Sequence, residues 1–219
     1  MKKRQITFPE QGILRKHYQK IEDAERERQI YNLQLSFMPK LLKQGRDEAG
    51  EYNDFEYLSC RNLWQKKDID FGAVARLYSK LHSQQKKNDK VICQIDTSPQ
   101  NIIYVDSSDS YFFIDFVDWR LEYAEFDLIH FLLFWAAVKE KQHYIQLQND
   151  FVTGYIAERC IDTERWRKLV PKVIEFFDQR RQHYGKYEKN ICPDKHFNRK
   201  YLAGSGLISE GNQLHLELE

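Results

Sequence analysis

The chain has no long apolar run: its longest, Leu128 to Val138, is interrupted by His130 and falls short of the thickness of a bilayer. Neither sign of charge dominates. Lys and Arg number 34 against 33 Asp and Glu, a formal net charge of +1, so no global field draws the protein to nucleic acid or to an anionic membrane. The basic start Met1-Lys2-Lys3-Arg4 is not followed by an apolar stretch, which argues against a typical signal peptide and for a cytosolic location. Cysteine is scarce and scattered. Cys60, Cys93, Cys160 and Cys192 form no Cys-x-x-Cys pair and read as reduced thiols. The histidines show no metal spacing, and His130, set among Phe, Leu, Ile and Trp, reads as a core histidine. No Gly-x-Gly-x-x-Gly, internal repeat or low-complexity segment occurs, while 42% apolar residues over 219 positions suffice for a substantial core.

What the chain does contain is concentrated in residues 94–118. Asp96 stands five residues before Asn101. Two apolar runs follow, Ile102-Ile103-Tyr104-Val105 and Tyr111-Phe112-Phe113-Ile114, separated by Asp106-Ser107-Ser108-Asp109-Ser110. Short β-prone runs around a polar turn cluster predict a hairpin. A hairpin folds its ends together, so Asn101, at the start of the first strand, and Asp115, leaving the second, are expected side by side. A phosphoryl-transfer site needs a carboxylate beside the attacking hydroxyl and hard oxygen ligands that hold Mg2+ against nucleotide phosphates. Asp96 can be the first, and Asn101 and Asp115 can be the second.

These residues resemble the catalytic and metal loops of the aminoglycoside phosphotransferase and choline kinase group within the protein-kinase-like fold. Those families carry a His-x-Asp-x4-Asn loop followed by an Ile-Asp-Phe or Ile-Asp-Trp loop. Ile114-Asp115-Phe116 matches the second, and Phe126-Asp127-Leu128 resembles the Phe-Asp-Leu that opens their next helix. The resemblance implies an α+β, two-lobed fold, with a reduced N-terminal lobe over residues 1–58 and a mostly helical C-terminal lobe over residues 59–219. It further implies ATP and Mg2+ as cofactors, Asp96 as the catalytic carboxylate, and Asn101 and Asp115 as metal ligands. Gln94 stands where the group has its loop histidine, a scaffold-bonding role that an amide can partly fill.

Toward the N-terminus, residues 5–8 and 13–18 predict two strands around the turn Pro9-Glu10-Gln11-Gly12. A helix with Ile30 and Leu33 on one face follows. In the resembling families a strand cation grips the nucleotide phosphates and a helix glutamate holds that cation. Arg15 follows Ile13-Leu14 as that cation follows its apolar pair and is preferred to Lys16. Glu27, one turn before Ile30, is preferred to Glu25. Solvated surface charge is the competing reading for Arg15, Lys16 and Glu27. Residues 55–63 resemble the linker between lobes, in which the Glu56 carbonyl and the Leu58 amide would read the adenine edge; Cys60 stands where the group has Gly. About a dozen residues precede the cation strand, fewer than a phosphate-covering glycine hairpin requires.

Beyond the linker, Phe71, Val74, Leu77, Tyr78 and Leu81 predict an amphipathic helix, residues 83–90 a polar connector, and Phe126 to Val138 a buried helix. Two more helices are expected near residues 142–158 and from Trp166 to Tyr184, the latter with a kink or restart at Pro171. From about Asn190 the glycines and Pro193 read as loop. Two function classes follow. One is an ATP-dependent phosphotransferase acting on a hydroxyl of a small molecule, such as a cationic amino alcohol or an aminoglycoside, for which Asp118, Glu122, Glu125 and the aromatic faces of Trp119, Tyr123 and Trp135 are candidate contacts, with core packing the competing reading for the aromatics and the favoured one for Trp135. The other is a kinase-like binding or regulatory protein without turnover.

Overall fold

The computed structural model describes residues 5–184, 192–204, 208–210 and 213–215. β1 (Ile6–Thr7) and β2 (Ile13–Tyr18) form an antiparallel hairpin, with Gly12 at φ +80° in the connecting turn, a conformation a side chain disfavours. Helix α1 (Ile21–Tyr31) sets Glu22 and Asp23 in its first turn, where the positive end of the helix dipole favours carboxylates. Its Ile30 and Tyr31 are buried, whereas Leu33 lies past its end and is exposed. β3 (Leu41–Asp47) and β4 (Gly50–Glu56) form a second hairpin, with Gly50 at φ +120° beside the turn. A short β5 (Arg61–Asn62) follows the linker.

Helix α2 (Phe71–His82) is capped by Asp70, whose Oδ1 accepts the Ala73 amide at 2.8 Å. It buries Val74, Leu77, Tyr78 and Leu81, the face the apolar spacing predicts. The stretch expected as a polar connector instead contains β6 (Lys86–Lys87), paired with β7 (Lys90–Cys93). Asn88 and Asp89 take φ +50° and +62° between them, the conformation of a two-residue primed turn that Asn and Asp tolerate. A 3-10 turn over Pro99–Asn101 leads into β8 (Ile102–Val105) and β9 (Ser110–Phe113), the hairpin read from the sequence. β10 (Arg120–Glu122) returns to pair with β7.

Helix α3 (Ala124–Ala136) is buried along its whole length. α4 (Lys141–Ile156) and α5 (Thr163–Tyr184) follow, and α5 runs through Pro171 without a restart. The tail expected as loop forms α6 (Lys195–Gly204). Asn198, Tyr201 and Leu202 are buried at helical spacing, so tertiary burial overrides weak local propensity there. β11 (Ile208–Glu210) and β12 (Gln213–His215) pair antiparallel. Among the described residues, no helix is long and apolar enough to cross a membrane.

The chain makes two compact units: Met1–Ile69 with Pro99–Trp119, and Asp70–Ser98 with Arg120–Glu219. The first holds a four-stranded sheet in the order β1-β2-β4-β3, a second sheet β5-β8-β9, and α1. The second holds α2 through α6 and the sheet β10-β7-β6. The sequence reading draws one boundary, after residue 58, whereas the chain passes between units after Ile69, Ser98 and Trp119. Pairing is the reason. β5 pairs with β8, the Leu63 amide donates to the Pro99 and Ile102 carbonyls, and the Phe113 amide donates to Phe37, so residues 99–119 belong with the strand-rich unit. In the helical unit, Tyr78, Phe131 and Phe151 share a ring cluster, with Phe131 and Phe151 stacked at 4.8 Å. A Cβ added at Gly154 on α4 would meet the Gly72 Cα of α2 at 2.6 Å, so these helices touch backbone to backbone.

Candidate active site

On β2, alternate side chains point to opposite faces. Lys16 and Tyr18 face α1. The Lys16 ammonium donates to Glu27 Oε1 and Oε2 at 3.0 and 2.7 Å and to Asp115 Oδ1 at 3.0 Å. Glu27 is 1% exposed and Lys16 8%. Two carboxylates therefore converge on one buried cation, which balances charge that burial would otherwise penalise. Glu27 is further bound by the Tyr18 hydroxyl and by the Phe116 amide at 2.9 Å. Burial and the Glu27 charge push the Tyr18 phenol far above its ordinary range, so it remains a donor. Asn53 completes the cluster, donating to Tyr18 and accepting from Arg28 Nε at 2.6 Å.

Arg15 lies on the other face. Its Nε and Nη2 bind Asp54 at 2.7 and 2.9 Å, its Nη1 reaches Asp47 at 3.3 Å, and its guanidinium lies 3.7 Å over the Tyr52 ring. Of the two β2 cations it is therefore Lys16, not the Arg15 preferred from the sequence, that meets Glu27, because one residue along a strand is the opposite face. Glu27, preferred to Glu25, is the glutamate that meets a β2 cation.

Asn101 and Asp115 occupy the open end of the β8–β9 hairpin, where the Ile114 amide donates to the Asn101 carbonyl at 2.9 Å. Asp115 takes φ +60°, and the next amide, that of Phe116, is the one Glu27 holds. The turn therefore aims the Asp115 side chain, 28% exposed, beside Lys16. An amide oxygen and a carboxylate, both borne by residues at one hairpin end, are hard oxygen donors of the kind Mg2+ accepts when phosphates and water complete its shell. In the linker, Glu56 ends β4, its amide bonded to the Lys40 carbonyl, and half-buried Leu58 lies in the irregular stretch before β5.

Asp96 belongs to the helical unit and sits in a loop held by one buried carboxylate. Asp127, in the first turn of α3 and 0% exposed, accepts the Gln94 amide at 2.7 Å and the Ile95 amide at 2.9 Å. Ile95 is at φ +70°, unusual for a β-branched residue, and these bonds are what hold it there. His82 bridges Asp127 and the Tyr155 hydroxyl, at 3.4 and 2.9 Å. With Cys93, His82 and Asp127 bring metal-type donor atoms within 4.8 Å of one another. The Asp127 oxygens are committed to backbone amides of the loop, which the cluster thereby braces, and burial drives the Cys93 thiol well above its ordinary range.

Thr97 Oγ1 lies 2.8 Å from His130 Nδ1, and burial, then the Arg180 charge, lower the His130 imidazole from 6.5 to about 3. Arg180, on α5, reaches Asp96 Oδ2 at 3.5 Å. Sequence reasoning assigned no role to Asp127, His82 or Arg180. Phe126-Asp127-Leu128 was a usable signal for the first; the other two are brought in by helices remote in sequence. Several of the groups that could hold a cationic acceptor are engaged elsewhere, and Trp135 takes the core position that is its favoured reading from the sequence. Trp135 is buried at 2% exposure, Trp119 donates to the Arg26 carbonyl at 2.6 Å, and Tyr123 lies under Arg165. Glu122 pairs with Lys90 at 3.2 Å, and Glu125 accepts the Asp162 amide.

No family model matches the chain, and no curated protein matches its sequence. Solved structures do. A choline kinase, LicA from Streptococcus pneumoniae, is similar over 89% of this chain and 85% of its own, at 16% identity and a TM-score of 0.54. A choline/ethanolamine kinase family protein from Mesorhizobium loti is similar over 88% and 80%, at 10% identity and a TM-score of 0.56. An aminoglycoside-3'-phosphotransferase of type VIII is similar over 80% and 93%, at 13% identity and a TM-score of 0.55. At these identities the likeness establishes the fold: the chain has the two-lobed protein-kinase-like fold.

Proposed function

We propose that the protein is an ATP-dependent phosphotransferase acting on a hydroxyl of a small molecule. The observation that carries this reading is the Lys16–Glu27 pair, buried and shared with Asp115, since a surface ion pair has no need of burial or of a second carboxylate. In this reading Lys16, held by Glu27, binds nucleotide phosphate oxygens, and the Glu56 carbonyl and Leu58 amide bind the adenine edge. Arg15 supports the sheet from its outer face. Asn101 and Asp115 would hold Mg2+, which, when bound, supplies neutralising charge at the phosphates. Asp96 binds the acceptor hydroxyl and takes its proton as the acceptor oxygen bonds to the terminal phosphorus and the bond to ADP breaks.

Choline, ethanolamine and aminoglycosides, which the similar structures are named for, form the first acceptor panel, with neutral and acidic sugars and polyols beside them. Calorimetry should register ATP binding that depends on Mg2+ and is lost in a folded Asp115→Ala protein. Asp96→Asn should keep Mg-ATP affinity within a few-fold while lowering phosphoryl transfer by roughly two to four orders of magnitude. Mg-ATP affinity indifferent to Asp115→Ala would sink the metal assignment. Transfer to no acceptor, with slow hydrolysis indifferent to Asp96→Asn, would identify a kinase-like binding protein instead.

A further inference from the structure

Asp96 meets a cation contributed by a helix far along the chain. Arg180 Nη2 lies 3.5 Å from Asp96 Oδ2, with side chains 22% and 32% exposed, so the pair is reachable by solutes without being freely solvated. The same charge reaches the interior side of the loop, where it helps to keep His130 neutral. Further cations lie on α5 and α6. Arg181 and Arg199 both lie over the Phe177 ring, at 5.0 and 5.8 Å. Burial lowers the affinity of Lys195 for its proton, and Arg199 and Arg181 lower it further against the opposing effect of Asp178. Asp178 is itself bound by Arg199 through both oxygens, at 2.8 and 2.5 Å.

A small acceptor whose hydroxyl meets Asp96 brings the substituent on its neighbouring carbons close to Arg180. Charge interaction falls only as the inverse of distance and is strengthened where water is partly excluded. An ammonium there meets a like charge, and an oxyanion meets a guanidinium whose planar fork matches carboxylate and phosphate. Repulsion of the wrong partner contributes to selection as much as attraction of the right one.

We propose that Arg180 selects the acceptor by charge: the natural acceptor is a small hydroxyl compound bearing an oxyanion, carboxylate or phosphate, beside the reacting hydroxyl, and compounds with an ammonium in that position are rejected. The proposal rests on the reading of Asp96 as the group that meets the acceptor hydroxyl. Arg180 is a specificity residue in this account, while Asp96 remains the base.

The test uses the full-length protein with a non-hydrolysable ATP analogue and Mg2+, and four three-carbon alcohols that differ in one substituent: glycerate, glycerol phosphate, glycerol and aminopropanediol. Binding by calorimetry should favour at least one anionic member over aminopropanediol by tenfold or more, and the better of the two tells carboxylate from phosphate. Arg180→Glu should abolish or invert that order, and Arg180→Lys should keep it, each with an unchanged melting transition. Equal or tighter binding of aminopropanediol by the wild type, an order unmoved by Arg180→Glu, or no binding of either anion at millimolar concentration overturns the proposal. Phosphoryl transfer from ATP is measured in parallel. Anion-selective binding without transfer to any member would leave the charge selection standing and overturn the phosphotransferase reading.

Discussion

Glu27 in the strand-rich unit and Asp127 in the helical unit are both nearly inaccessible carboxylates, and both hold the backbone amide of a residue at or next to a left-handed turn. Glu27 holds Phe116, which follows Asp115 at φ +60°; Asp127 holds Ile95, at φ +70°, which precedes Asp96. They differ in what balances their charge. Glu27 has the Lys16 ammonium, shared with Asp115, whereas Asp127 is satisfied by amides of the loop itself and by His82. A carboxylate balanced by a cation links its loop to a group that can bind something else. One balanced by amides does a single thing, which is to fix the loop. Each of the two carboxylates can be perturbed alone.

The largest effect should come from the bracing side. Asp127→Ala leaves the Gln94 and Ile95 amides buried without an acceptor and removes what holds Ile95 at positive φ. A cost of about 4 kcal/mol is expected from two stranded donors, read as a lowered denaturant midpoint with an unchanged slope. Asp127→Asn, which keeps one acceptor oxygen, should fall between.

An intermediate effect sharpens the same side through pH. The unfolded chain protonates His130 near 6.5, while the folded protein does so only near 3. Between these values the unfolded state binds more protons, so stability is fully present above about 6.5 and is lost as pH falls through the window. At pH 5 the loss assigned to this group is about 2 kcal/mol, and His130→Gln should flatten that part of the stability curve. A variant with the same slope as wild type would place the acid sensitivity elsewhere.

The smallest effect belongs to the outer face of β2. Lys16→Ala should weaken Mg-ATP binding by about tenfold or more, and Arg15→Ala by no more than about threefold, because neighbouring strand residues face opposite ways. Titration of both variants with Mg-ATP distinguishes them, and the opposite ranking would restore the register preferred from the sequence.

How much was legible in the sequence follows the same division. The β8–β9 hairpin was readable because its strands are apolar runs around a polar turn, and α2 because its buried face repeats at helical spacing. The β3–β4 hairpin was not, since β4 buries Asn53 on one face and Asp54 on the other, and their burial is made possible by Arg28 and Arg15 rather than by hydrophobicity. β6 escaped for a similar reason, being two lysines defined by the Asn88-Asp89 turn. Arg180 could not have been paired with Asp96 from the sequence at all, because 84 residues separate them and only helix packing brings them together.

The three passages of the chain between its units, after Ile69, Ser98 and Trp119, bear on how the gene can be divided. An expression product ending at Ile69 would carry β5 without β8 and lack Asp115, so neither its second sheet nor its lysine cluster could be completed. A product beginning at Asp70 would contain residues 99–119 severed from the strands they pair with. Supplying the two halves as separate polypeptides therefore amounts to a complementation experiment, in which the second fragment brings residues 99–119 to complete the core of the first, rather than to the isolation of two domains.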